Sequence, residues 1–189
     1  MPRCPPDIDL HLLAKEVGLN ALALRYQYVF PLDTLLKRYK YQGELILAGP
    51  LAALIAPPPL TLLGASERSF RPVLIPVPAS PARIKQRGYD HLHLMAQRYA
   101  KRFNLKMAYA NRNQESASQA QLSRRDRKRN LTEVFQVGNL GKAVLLLDDV
   151  ITTGATLSAL AAQCREQGAE WVGAVVLART PGPSELITL

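Results

Sequence analysis

Two adjacent aspartates, Asp148 and Asp149, are followed by the run Thr152, Thr153, Gly154, Ala155 and Thr156. Neighbouring carboxylates can accept hydrogen bonds from a pair of vicinal hydroxyls, and their hard oxygens suit a cation such as Mg²⁺. Threonine hydroxyls, beside a glycine that lets the backbone approach closely, suit a phosphate. Two carboxylates next to a phosphate cradle repel its anion unless they hold something else. Ribose hydroxyls and a divalent metal are the partners that fit. One ligand supplies all three features: a ribose 5-phosphate carrying a metal-bound pyrophosphate.

The elements that must position these groups are legible on either side. Residues 144–147, VLLL, are a short apolar run with the composition of a strand buried on both faces. The alanine-rich pattern over 157–167 is helical and stops at Gly168. A strand, a polar turn and a helix in this order place free backbone N–H groups and the positive end of a helix dipole at one point. The segment VLLLDDVITTGATL closely resembles the 5-phosphoribosyl 1-pyrophosphate (PRPP) motif of type I phosphoribosyltransferases. That resemblance implies that Asp148 and Asp149 hold the ribose hydroxyls and that residues 152–156 wrap the 5-phosphate. Two other readings fit less well. A receiver domain carries its acid pair near its start, and a P-loop needs Gly-x-x-x-x-Gly-Lys-Ser/Thr, which Gly138 to Ala143 does not supply.

The 189 residues suit one α/β domain with an appendage, and the 48% hydrophobic fraction is enough for a core. A net charge of +9 points to anionic partners, phosphates or nucleic acid. Two cysteines, Cys4 and Cys164, make neither a disulfide framework nor a zinc site by themselves. Cys164 shares a helical face with Leu157, Leu160 and Ala161, as a packed core thiol would. The first nine residues hold prolines and acids rather than a basic, apolar leader, so the expected location is cytoplasmic. Residues 45–66 form an uncharged run, but Gly49, Pro50 and Pro57–Pro59 break it into a core helix and a loop rather than a membrane span.

Along the chain, residues 1–20 are weakly amphipathic and 21–30 alternate as a strand with Tyr26 and Tyr28 on one face. Pro31 opens a helix whose core face is Leu32, Leu35, Leu36 and Tyr39. Lys37, Arg38 and Lys40 near its C-terminus read as solvated cations that favour the helix dipole, in preference to the alternative of ligand contact. The apolar stretch around 72–78 should lie parallel to the 144–147 strand, which places 79–90 at the carboxyl edge of the sheet, where open α/β folds bind ligands. Arg83, Lys85 and Arg87 fall there. Asp90 caps a helix with core face Leu92, Met95, Ala96, Tyr99 and Phe103, leaving His91 and His93 on the outer face. Residues 105–109 and 134–137 are expected strands, with a long polar segment, 111–130, between them as a candidate lid. Residues 172–177 supply a last buried strand, and the tail should fray.

Three segments, IPVPASPARIKQRGYD, SQAQLSRRDRKRN and VLLLDDVITTGAT, together with YQYVFPLDTLLKRYKYQGE, resemble the ComF/GntX family of phosphoribosyltransferase-like proteins. The first three also look like the phosphoribosyl-transfer half of glutamine amidophosphoribosyltransferases. The resemblance implies an α/β type I phosphoribosyltransferase fold, with a mostly parallel central sheet flanked by helices. It divides the chain into a hood-like appendage, 1–65, a core, 66–180, and a tail, 181–189. Ala79, Ser80, Arg83 and Arg87 would form the pyrophosphate loop, and Gln119, Leu122, Arg124 and Arg125 would lie in a mobile loop closing over PRPP. Where the family commonly begins with a cysteine-rich zinc module, Cys4 stands alone, so zinc is not expected. Where it commonly reads Arg-Gly-Phe-Asn-Gln, this chain has Arg87, Gly88, Tyr89, Asp90 and His91.

The implied reaction is displacement of pyrophosphate from C1 of PRPP by a nitrogen nucleophile. Mg²⁺ would arrive with PRPP near Asp148 and Asp149, without direct ligation by a dedicated protein cage. Arg124 and Arg125, with Arg83 or Arg87, would stabilise the leaving group. The family is associated with competence and uptake of transforming DNA. A rival expectation is therefore a non-catalytic, PRPP-responsive protein that binds single-stranded DNA through Arg124, Arg125, Arg127, Lys128 and Arg129. Aromatics are only 6% of the chain, and none interleaves with that cluster to stack bases. No membrane span is expected, although contact with a membrane-associated uptake machinery is compatible with the family. The acceptor and the oligomeric state stay open, a dimer included.

Overall fold

A computed structural model describes residues 1–5, 8–59, 71–112, 135–137 and 140–182. Four parallel strands form the central sheet in the order β1, β6, β5, β2. These are β1 (Ala21–Gln27), β2 (Val73–Pro76), β5 (Ala143–Ile151) and β6 (Trp171–Arg179). A parallel sheet with flanking helices is the architecture expected from the resemblance. β5 and β6 lie in the middle and are buried on both faces, which is why neither alternates apolar with polar residues. Val144, Leu145, Leu146 and Leu147 are fully buried, as 144–147 predicted. Burial of each such side chain contributes about 1.5–3 kcal/mol. Register pairs Leu147 with Val175 of β6 and with Pro76 of β2, so the polar end of β5 emerges where β2 has stopped.

β1 pairs parallel with β6, Ala21 opposite Gly173. The segment expected as an appendage, 1–65, thus supplies an edge strand to the central sheet, and the first residues pair against that edge through a bridge from Arg3 to Tyr26. α1 (Leu10–Glu16) is capped by Asp9, whose carboxylate accepts from the backbone of His11 and Leu12. α2 (Leu32–Tyr41) buries Leu32, Leu36 and Tyr39. A 3₁₀ turn at Leu45–Leu47 leads into the short α3 (Ala48–Leu54). Among the described residues no helix is long and apolar enough to cross a membrane.

The strand expected over 105–109 is reduced to a bridge between Met107 and Leu74. The cause lies in β2. Backbone groups of Leu74 face that side, donating to Lys106 O at 2.8 Å and accepting from Ala108 N at 3.0 Å. Pairing on that side would next need N–H groups at positions 72 and 76, and both are proline. A two-stranded antiparallel ribbon follows instead, β3 (Ala110–Arg112) with β4 (Phe135–Val137). α4 (Pro81–Arg87) and α5 (His91–Phe103) follow β2, and α6 (Ala155–Glu166) follows β5. Cys164 is fully buried in α6 among the core residues, and burial pushes its thiol up to about 12.

Candidate functional site

The acid pair, the threonine turn and the basic segment after β2 meet at the carboxyl edge of the sheet around one cavity of about 300 Å³. Asp148, Asp149, Thr152 and Thr156 line it from β5 and the turn, and Ala79, Arg83 and Arg87 line it from the β2 side. A second recess of about 40 Å³ lies inside the turn, lined by residues including Thr152, Thr153, Gly154 and Thr156. The turn forms because Gly154 takes φ +74°, in the left-handed region, and serves as the N-cap of α6. Gly154 has no side chain to cap that helix; Thr153 Oγ1 accepts from Ala155 N at 3.4 Å, and residues 155–157 of the first turn border the small recess, where an anion would meet the N–H groups there.

The resemblance implies a pyrophosphate loop of Ala79, Ser80, Arg83 and Arg87, and the structure has a helix over Pro81–Arg87. Ser80 caps α4, its Oγ accepting from Arg83 N at 3.4 Å, and Pro81 occupies the first turn. Helical spacing brings Arg83 and Arg87, four apart, to the cavity together, whereas Lys85 is exposed and does not line it. Gly88 ends the helix at φ +80°.

The two aspartates have different surroundings. Asp149 is 5% exposed, and its Oδ2 receives both Lys40 Nζ at 2.5 Å and His91 Nε2 at 2.8 Å. Burial alone would raise its pKa, but Lys40 first and then His91 outweigh it and hold the carboxylate well below the usual range. Asp148 is half-buried, and its Oδ1 accepts from Asp149 N at 2.8 Å. Burial, then the neighbouring Asp149 charge, push its carboxyl up to about 8.

The phosphoribosyl transferase domain matches residues 93–187, half of the chain. The chain belongs to the phosphoribosyltransferase family, among its ComF-type members. It is 28% identical over 174 residues to Competence protein F of Haemophilus influenzae, covering 88% of this chain and 76% of that protein. Against DNA utilization protein YhgH of Escherichia coli O6:H1 it is 28% identical over 189 residues, 95% of this chain and 83% of that one. The YhgH protein of Salmonella typhimurium is 29% identical over 185 residues, with 95% and 82% covered.

In this ComF-type protein the described site residues predicted from sequence gather at one edge, except that Ser80 acts as a helix cap. Arg124, Arg125, Arg127, Lys128 and Arg129, with Gln119 and Leu122, lie outside the described residues. Sequence reasoning misplaced two side chains. Lys40 is not a solvated cation: it pairs with Asp149 and lines the cavity. Lys37 and Arg38 do pair at the surface, with Asp33 at 2.9 Å and Glu44 at 2.7 Å. His91 is not on an outer face but 5% exposed, while His93 stacks on Tyr109 with centroids 5.4 Å apart. The signal was present in both helices. Lys40 is four residues beyond the buried Leu36, and His91 is four before the buried Met95. Arg112, the last residue of β3, also lines the cavity and was read only as part of a polar loop.

Proposed function

We propose that this protein binds PRPP with Mg²⁺ in the cavity and transfers its phosphoribosyl group to a nitrogen acceptor, releasing pyrophosphate. The observation that carries this reading is the convergence of three chemistries on one edge: an acid pair, a helix N-terminus opening from a threonine turn, and two helical arginines. Asp148 and Asp149 would accept the ribose hydroxyls. The turn from Thr152 to Thr156 would hold the 5-phosphate, with the α6 dipole favouring its charge. Arg83 and Arg87 would face the diphosphate, joined by Arg124 and Arg125.

Carboxylate oxygens are hard donors, so Asp148 at the cavity wall fits a Mg²⁺ ion carried by the diphosphate. Such an ion supplies neutralisation of the charge that gathers on the leaving group. In the transfer itself the bond from C1 to the diphosphate oxygen breaks as a bond from C1 to nitrogen forms. Pyrophosphate departs with the bonding electron pair, and the nitrogen's proton passes to water or to the departing pyrophosphate. Arginine side chains stabilise the departing charge, and the carboxylates keep the ribose oriented for in-line displacement.

Calorimetric titration of PRPP with Mg²⁺ tests the reading, using the wild type and the Asp148→Asn, Asp149→Asn double variant. The expected result is binding by the wild type that the double variant weakens by about 100-fold or more, since each charged hydrogen bond contributes roughly 1.5–3 kcal/mol. A wild type that takes up no PRPP overturns it. Pyrophosphate release on addition of a purine or pyrimidine base then tests turnover.

A second reading has its own support: the relatives are named for competence and for DNA utilization, and the chain carries a net charge of +9. In it the protein handles single-stranded DNA through Arg124, Arg125, Arg127, Lys128 and Arg129. DNA affinity that falls steeply with salt and disappears when these five are replaced by glutamine would favour it.

A further inference from the structure

We infer that Lys40 and His91 are positioning residues for ribose recognition: together they load one oxygen of Asp149 and leave the other to the ligand's hydroxyls. The inference rests on the PRPP reading and says how that site tells a ribosyl group from a bare phosphate. Both donors approach the same atom, Asp149 Oδ2, at 2.5 Å and 2.8 Å. Neither donor takes Asp149 Oδ1, and Asp149 lines the cavity. A carboxylate fixed through one oxygen presents the other at a defined angle, which a freely turning side chain would not do.

The tautomer of His91 follows from its second contact. Arg87 Nη1 lies 3.1 Å from His91 Nδ1, and a guanidinium can only donate. Nδ1 therefore accepts, Nε2 carries the proton, and His91 donates to Asp149. The remaining contacts stiffen this line. Tyr39 donates from its hydroxyl to His91 O at 2.7 Å, and Arg87 lies over the Tyr41 ring, 4.8 Å from its centroid. Lys40 sits between those two tyrosines in α2, so the helix that carries the cation also braces its partner. Lys40 and Asp149 side chains are 14% and 7% exposed, so their pairing is set by packing rather than by solvent.

The test separates ribose from phosphate recognition. Affinities for ribose 5-phosphate, inorganic phosphate and Mg²⁺-pyrophosphate are measured for the wild type, Lys40→Met, His91→Leu and His91→Gln, each first shown to keep the wild-type circular dichroism. Lys40→Met and His91→Leu should weaken ribose 5-phosphate at least tenfold and leave phosphate and pyrophosphate within twofold. His91→Gln, which keeps an N–H donor, should recover most of the loss. A ligand-free readout runs beside it: ¹⁵N shifts of His91 in the wild type should show the Nε2–H tautomer. Loss confined to pyrophosphate in Lys40→Met would overturn the inference, making Lys40 a diphosphate cation. Unchanged affinities in all three variants, or a His91 protonated on Nδ1 alone, would overturn it too. A wild type that binds ribose 5-phosphate but not PRPP counts against the proposed function alone.

Discussion

The side chain of Val17, the residue that closes α1, occupies the space a Cβ on Gly154 would need. The first helix thereby backs the turn that forms the smaller recess. Arg165 of α6 fastens the same corner, donating to Gly18 O at 2.6 Å and Asn20 Oδ1 at 2.9 Å. The N-terminal segment, unreadable as a sequence, is a buttress for the candidate phosphate turn.

Gly154→Ala should therefore do two kinds of damage. Position 154 has φ +74°, where a Cβ is strained, and the new methyl would strike Val17. The expected cost is about 2–3 kcal/mol in urea denaturation. Val17→Ala makes room for the methyl, so pairing the two substitutions should return part of the loss; strict additivity would mean the contact does not govern the turn.

Asp148→Asn should stabilise the ligand-free protein in a pH-dependent way. The folded carboxyl keeps its proton up to about 8, whereas the unfolded chain releases it near the ordinary value of 3.8. Between those values the folded state holds more protons, so wild-type stability falls as pH rises. Asparagine carries no such proton. Its advantage should be absent below about pH 4 and complete above about pH 8, reaching on the order of 1–2 kcal/mol once water at the cavity wall is allowed for. Equal advantages at pH 5 and pH 8.5 would mean that Asp148 is ionised in the folded protein.

Arg83 and Lys85 sit two residues apart on α4, and only the former lines the cavity. Arg83→Ala should weaken Mg²⁺-pyrophosphate binding about 10-fold, the value of one charged hydrogen bond, while Lys85→Ala leaves it within twofold. Isothermal titration distinguishes this from a general charge effect, in which both substitutions would act alike.

Tyr39→Phe probes the brace between α2 and α5. The buried hydroxyl donates to His91 O at 2.7 Å, while Tyr39 O accepts from the Tyr89 hydroxyl. Burial, chiefly, and nearby acidic groups push the Tyr39 hydroxyl well above its ordinary range. Removing it should cost about 1–2 kcal/mol by thermal or urea unfolding, because His91 O loses its donor. No loss of stability would show that water replaces the hydroxyl.

Residues local in sequence were enough to define much of this protein. The run VLLLDDVITTGAT specified a buried strand, a tight glycine turn and a helix, because a doubly buried parallel strand needs continuous apolar residues and a backbone at positive φ needs glycine. The parallel pairing of 72–78 with β5 was legible for the same reason. Tertiary structure alone decided that Lys40 and His91 enter the site beside Asp148, Asp149, Arg83 and Arg87. Lys40 and Asp149 stand far apart in sequence, and the polar ends of α2 and α5 look solvated until packing brings Tyr39, Lys40 and His91 against the end of β5. Burial of Asp149 makes those partners necessary, since a carboxylate removed from water must be paired, and periodicity marks a buried face without naming what it will meet.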